Sequence, residues 1–251
     1  MPALSRPDEI QMKTSSSKLI RLTIVAVFTA LVFVATMIFQ IPIPATGGYF
    51  NLGEAVIYAA ALIFGAFVGA FSGGVGAALS DVITGYPIFA PGTLIIKFTE
   101  GAIVGYLGGK VPFKKASMTF WRILSILLGT TLGLATYYIG TSYMGISGNT
   151  HVDEIVWAGI AIFLAASIVF TSFVLGATAD WHAIAIILGG TTMIAGYFLY
   201  ESLLATLFPG LKIFAAGEIP LNIGQMLVGM TIALPVTGYM RKTLPYDQKI
   251  L

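Results

Sequence analysis

Long apolar runs separated by short polar segments divide this 251-residue chain. Runs able to cross a hydrocarbon core of about 30 Å as helices, roughly 20 residues each, occupy positions 19–40, 92–109, 119–140, 154–176, 183–207 and 220–240. A seventh stretch, between Glu54 and Asp81, holds 26 uncharged residues. It suits either one long tilted helix or two short ones turning near Gly65. Charge decides between them. With a hairpin there are eight spans, both termini share one side, and the segment Gly108 to Arg122 joins them there. That side then collects eleven of the thirteen Lys and Arg residues, leaving out only Lys97 and Lys212. The positive-inside bias makes it cytoplasmic. The first hairpin arm, about residues 53–65, rises only about 20 Å as a helix, so its backbone must be buried in protein or line a cavity. Residues 1–18 are polar and read as a disordered cytoplasmic tail, and residues 241–251 read as a cytoplasmic tail at the other end. The apolar run Leu19 to Phe39 is too long for a signal-peptide core and reads as a retained first helix.

Composition agrees. Hydrophobic residues make up 57% of the chain and charged ones 10%, with a mean hydropathy of +0.91. The expected fold class is an all-α polytopic membrane bundle, because no segment outside the apolar runs could bury a core of its own. The chain has no cysteine, which excludes disulfides and thiolate metal sites. The two histidines, His151 and His182, read as lying in loops on opposite sides, which disfavours a histidine metal site. No P-loop is present, and the basic residues follow membrane orientation instead of forming a nucleic-acid patch. No cofactor and no metal are expected, and a membrane-embedded enzyme lacks a convincing nucleophile.

Ionisable groups inside apolar runs are the informative exceptions. Three loops face outside in this topology: Ile41 to Gly53, Gly85 to Pro91 and Pro209 to Pro220. At 1.5 Å per helical residue, Asp81 lies about 6 Å below Gly85, Lys97 about 6 Å below Thr93, Glu201 about 12 Å below Pro209 and Gln225 about 8 Å below Pro220. Polar groups from distant segments therefore reach one depth, as an outward-opening cavity requires. Each has a purely structural alternative. Asn51 and Glu54 could form a capping box. Lys97 could pair with Asp81, or with Glu100 on its own helix. Glu201 could make an interhelical bond, and Asn222 and Gln225 could mark a helix start after Pro220. Tyr49, Phe50, Tyr86 and Phe89, with Tyr197 and Tyr200 below them, suit an interfacial belt or the faces of a planar polar heterocycle. Small residues at four-residue spacing (Gly65, Gly69 and Gly73; Gly101 and Gly105; Gly129 and Gly133; Ala26 and Ala30) suit close helix packing.

The segments N-L-G-E (Asn51 to Glu54), D-x-x-x-G-Y (Asp81 to Tyr86), A-P-x-T-x-x-x-K (Ala90 to Lys97) and E-I-P-x-N (Glu218 to Asn222) resemble the substrate-binding S components of energy-coupling factor (ECF) vitamin transporters, the riboflavin-type group above all. The likeness covers residues 19–109 and 184–240. It implies a six-helix core, interrupted by an insertion over 110–183 that adds two spans and an outside loop. It implies capture of a water-soluble vitamin or precursor, such as riboflavin or a pyridoxine- or pyrimidine-type molecule, under a gate of outer loops. Its partners would be a transmembrane coupling subunit and two cytoplasmic ATPases. By the same likeness Asn51, Glu54, Asp81, Tyr86, Lys97, Tyr197, Glu201, Asn222 and Gln225 are candidate ligand or gate residues. Ala26 and Ala30, in A-V-F-T-A, are similar to the docking pattern for the coupling subunit. A self-sufficient, proton-coupled secondary carrier of a small polar metabolite is the alternative.

Overall fold

A computed structural model describes residues 7–43, 46–110, 118–144, 154–175, 177–211 and 213–243. Eight helices and one small hairpin are built from them: α1 Pro7–Ile38, β1 Ile41–Ile43, β2 Gly48–Phe50, α2 Gly53–Phe64, α3 Ala66–Thr84, α4 Ala90–Gly108, α5 Met118–Met144, α6 Glu154–Leu175, α7 Ala177–Leu207 and α8 Ala215–Thr243. Large apolar side chains such as Ile83, Ile95, Ile155, Phe163 and Leu199 stand exposed on the helices' outer faces. Such a surface belongs in lipid. Among the described residues, five helices are individually long and apolar enough to cross a membrane: α1, α3, α5, α7 and α8. α4 carries Lys97 and Glu100, and α2 has 12 residues, so both depend on the bundle around them. The chain is an all-α polytopic membrane protein.

The apolar stretch after Glu54 folds as the hairpin arrangement. Gly65 separates α2 from α3 with φ of 88°, a left-handed value open to glycine at little cost. The two helices then run antiparallel. A side chain added at Gly69 would meet Ala61, and one at Gly73 would meet Ile57. α2 is the innermost helix, with ten of its residues buried between α1, α3, α4 and α8. A helix too short to span lipid is thus enclosed by helices that do, which keeps its backbone ends away from hydrocarbon.

The glycine spacings work within the chain. The backbones of α3 and α4 touch through Gly69 and Gly101, and Gly129 and Gly133 of α5 face Ala165 and Ala161 of α6. α5 and α6 pack chiefly on each other and only lightly on α7 and α8, while α4 packs directly against α7. The core formed by α1 to α4, α7 and α8 therefore closes without the α5–α6 pair.

Several expectations need correction. α1 begins at Pro7, so residues 7–18 are helical where a disordered tail was expected. Proline is suited to a first helical position. Residues 1–6 lie outside the described residues, as do 244–251 and His151. His182 lies inside α7, buried, instead of in a loop. The loop Ile41 to Gly53 contains the antiparallel pair β1–β2, with Ile41 opposite Phe50 and Gly47 at φ 83° in the connection. α8 starts at Ala215, five residues before Pro220, so Pro220 does not mark its first turn.

The end of the bundle away from the β1–β2 hairpin is fastened by side chains that bind carbonyls near helix ends. Trp181 Nε1 donates to the Leu107 carbonyl at 2.7 Å, and His182 Nε2 lies 3.2 Å from the Gly108 carbonyl, both at the end of α4. Arg241 of α8 donates to the Leu62 carbonyl near the end of α2. These carbonyls lie in the last turns of their helices, where side chains supply donors that a further turn would have given; Leu107 also accepts from the Lys110 amide at 2.9 Å.

A Cβ at Gly69 would sit 2.8 Å from Ala61 Cα and 2.9 Å from the Gly101 carbonyl oxygen, both backbone atoms with little freedom to move. Gly69→Ala should therefore lower stability by roughly 1–3 kcal/mol, despite alanine's better helix propensity. Thermal unfolding in detergent tests this, and an unchanged or higher midpoint contradicts the packing described.

Candidate functional site

Lys97 decides the arrangement of the bundle's outer half. It projects from α4 at 3% exposure and donates to Glu54 of α2 and, at 3.2 Å, to Glu100 one turn along its own helix. Tyr58 of α2 donates to the other Glu100 oxygen at 2.7 Å. Gly229 of α8 leaves room for this layer, since a side chain there would run into Glu54 and Tyr58. The partners of Lys97 are thus Glu54 and Glu100, not Asp81. The capping-box alternative also fails for Glu54. Asn51 Oδ1 accepts from the Gly53 amide at 2.8 Å, while the Glu54 side chain turns inward to the lysine.

Above this layer, beneath the β1–β2 hairpin, lies a small cavity of about 40 Å3. Its lining includes Asn51, Asp81, Tyr86, Lys97, Tyr197, Glu201, Asn222 and Gln225, that is, every candidate residue except Glu54. Glu54 lies beneath the floor and holds Lys97. The helix-start reading of Asn222 and Gln225 gives way to another role. Both are buried two turns into α8, where Gln225 Nε2 donates to Asn222 Oδ1 at 3.0 Å and Gln225 Oε1 accepts from the Asn51 amide at 3.2 Å.

The β1–β2 hairpin covers the cavity and is bonded to its walls. Tyr49 donates to Asp81 of α3 and packs against Tyr86 with ring centroids 4.9 Å apart and the planes tilted by 55°. Burial first, and the Asp81 carboxylate second, push the Tyr49 hydroxyl pKa well above its ordinary value, so it stays a donor at any physiological pH. Thr46 donates to Glu218 of α8, and the Phe214 amide bonds the Thr46 carbonyl at 3.1 Å. On the far wall Tyr197 donates to Thr93 at 3.1 Å, and its ring lies 5.4 Å from Lys97 Nζ. Tyr200 fills the space left by Gly92 and donates to the Ile88 carbonyl at 2.7 Å.

Thr46, Tyr58, Thr93 and Glu218 belong to this constellation and were not singled out from sequence. Tyr58 sits in an apolar helical run where hydroxyls are ordinary, and Thr93, although it stands in the A-P-x-T-x-x-x-K motif, was given no role of its own. Glu218 lay within a motif but looked like loop polarity. Its four-residue offset from Asn222, one helical turn, was the available signal once α8 is started at Ala215.

A family model described as ECF-type riboflavin transporter, S component, matches residues 16–179. The chain belongs to that S-component family. The matched range takes in α5 and α6 as well as the first four helices of the S component. The chain is also 33% identical over 130 residues, 51% of its own length and 71% of the relative's, to the thiamine precursor transporter HmpT of Lactococcus lactis subsp. cremoris (strain MG1363). A protein of Pyrococcus woesei described only as uncharacterized is 47% identical over 116 residues, 45% of this chain and 72% of that one. This S component is accordingly a membrane-embedded part of a vitamin-type transporter, not in itself an enzyme.

Removing the ammonium while both carboxylates remain should be far worse than removing the pair. Lys97→Met is expected to cost about 3–5 kcal/mol, and adding Glu54→Gln should recover a substantial part of it. Unfolding midpoints for the two single variants and the double variant test this coupling. Strict additivity contradicts the ion-pair arrangement.

Proposed function

We propose that this S component captures a water-soluble vitamin or vitamin precursor with a heteroaromatic ring at the outer membrane face. A transmembrane coupling subunit and two cytoplasmic ATPases then supply the energy for uptake. The observation that carries the reading is the convergence of polar and aromatic side chains from β2, α3, α4, α7 and α8 on one cavity within an otherwise apolar bundle. Burying that many polar groups is unfavourable unless they bond to one another or serve a polar guest, and here the mutual bonds leave several polar atoms over. Tyr49, Tyr86, Phe89 and Tyr197 offer ring faces, while Asn51, Asn222, Gln225 and the carboxylates read an edge. The β1–β2 hairpin acts as the gate, since its bonds to Asp81, Glu218 and Gln225 tie cover and walls together.

Ala26 and Ala30 stand exposed on α1, on a face turned away from the contact that Thr29 and Val32 make with Gly76 of α3. We assign this small-residue strip to the coupling subunit, because it permits close approach of a partner helix. ATP hydrolysis belongs to the partners, in keeping with the missing P-loop.

Native mass spectrometry of the detergent-purified chain, with released molecules identified by fragmentation, tests capture. A vitamin-sized heterocycle is expected, and its occupancy should fall in Glu201→Ala and Gln225→Ala variants that still insert and fold. An empty chain that by itself drives uncoupler-sensitive uptake into vesicles would replace this reading with the secondary carrier. For the interface, Ala26→Trp with Ala30→Trp should abolish co-purification of the coupling subunit while ligand occupancy stays unchanged. Undiminished co-purification would remove α1 as the docking face.

A further inference from the structure

Among the described residues, the cavity lining carries more acidic than basic groups. Asp81, Glu201 and Glu218 lie in its wall, and Lys97 is the cation that the described residues contribute to the lining. That cation is already shared between Glu54 and Glu100. Lys212, in the outer loop before α8, lies outside the described residues. Several donors in and around the wall are engaged, Tyr49 with Asp81, Thr46 with Glu218, Tyr197 with Thr93, and the Gln225 amide with Asn222, while the Tyr86 hydroxyl and the Asn222 NH2 group remain as donors facing the lining. Acceptors are left over. Asp81 Oδ2 and Glu201 Oε2 are buried without a hydrogen-bond partner among the described residues, on side chains only 2% and 3% exposed.

Accepting the cavity as the ligand site, we infer that its ligand is a heteroaromatic cation whose positive edge lies against Asp81 and Glu201. Two buried carboxylate oxygens without donors are costly in a dry site, and a cationic ring edge supplies both charge and N–H groups to them. A neutral ring edged by carbonyl oxygens would set acceptor against acceptor. The aromatic wall agrees with this polarity. Tyr49 and Tyr86 stand beside Asp81, Phe89 lies against Tyr86 with ring centroids 6.2 Å apart, and such faces attract cations. The inference separates this chain's ligand from riboflavin, which is uncharged, although riboflavin stands in the description of its family.

Calorimetric titration of the stripped, detergent-purified chain at neutral pH tests the inference with three probes: thiamine as a cationic heteroaromatic, riboflavin as a neutral one and flavin mononucleotide as an anionic one. Thiamine is expected to bind at least about tenfold more tightly than riboflavin, with flavin mononucleotide weakest. The isosteric variants Asp81→Asn and Glu201→Gln should each weaken thiamine about 10- to 100-fold, as loss of a charged hydrogen bond does. If either variant fails to fold, the wild-type order of the probes carries the test. Riboflavin binding more tightly than thiamine, and unaffected by the amide substitutions, would overturn the charge inference and leave the cavity as the ligand site. If no probe binds but a molecule co-purifies, its own charge decides: a cation supports the inference and a neutral or anionic molecule overturns it. If no probe binds and nothing co-purifies, the ligand-site reading falls and this inference falls with it.

Discussion

An ammonium group shared by two carboxylates in a dry interior is the constraint on which the outer half of this bundle depends. Lys97, Glu54 and Glu100 could not be buried singly, because stripping water from an unpaired ion costs several kcal/mol even after relaxation. Their pairing fixes how α2 and α4 sit relative to one another, and Tyr58 completes the coordination of Glu100. The floor of the cavity is thereby held rigidly, with one Glu54 oxygen left over. Above it Asp81 and Glu201 likewise each retain an oxygen without a partner among the described residues. Side chains held in place in this way before a guest arrives are the arrangement expected of a receptor.

The packing that surrounds this layer relies on small residues more than on large ones. Membrane helices gain little from apolar contact alone, since lipid offers the same, so close backbone approach and interhelical hydrogen bonds carry more of the association. α3 and α4 meet at Gly69 and Gly101, and α8 approaches α2 at Gly229 beside Glu54 and Tyr58. The 12-residue α2 can be short because its neighbours take its place toward lipid.

Much of this was legible in the sequence because membrane insertion leaves a strong trace. Run length, the bias of Lys and Arg, and the single break at Gly65 sufficed for the helices and for the hairpin between Glu54 and Asp81. Depth was legible too, which is why Asp81, Lys97, Glu201 and Gln225 could be grouped before any geometry was known. Pairing was not. Asp81 and Glu100 both lie within reach of Lys97 by spacing, and only the rotation of α3 and α4 about their axes settles that the lysine takes Glu54 and Glu100 while Asp81 takes Tyr49. Short strands within a proline- and glycine-containing loop, and an α8 that passes through Pro220 without stopping, are likewise decided by tertiary contacts, not by local pattern.

The two ends of the molecule are closed by different kinds of bond. At the end away from the hairpin Trp181, His182 and Arg241 bind backbone carbonyls of α4 and α2, main-chain groups that take no part in lining the cavity. At the outer end the cover is held by Tyr49, Thr46 and Asn51 through side chains of the cavity wall, bonds that an incoming molecule could exchange for its own. The protein is consequently a one-ended vessel: its base is sewn shut, while its lid is tied with knots that the contents themselves can loosen and retie.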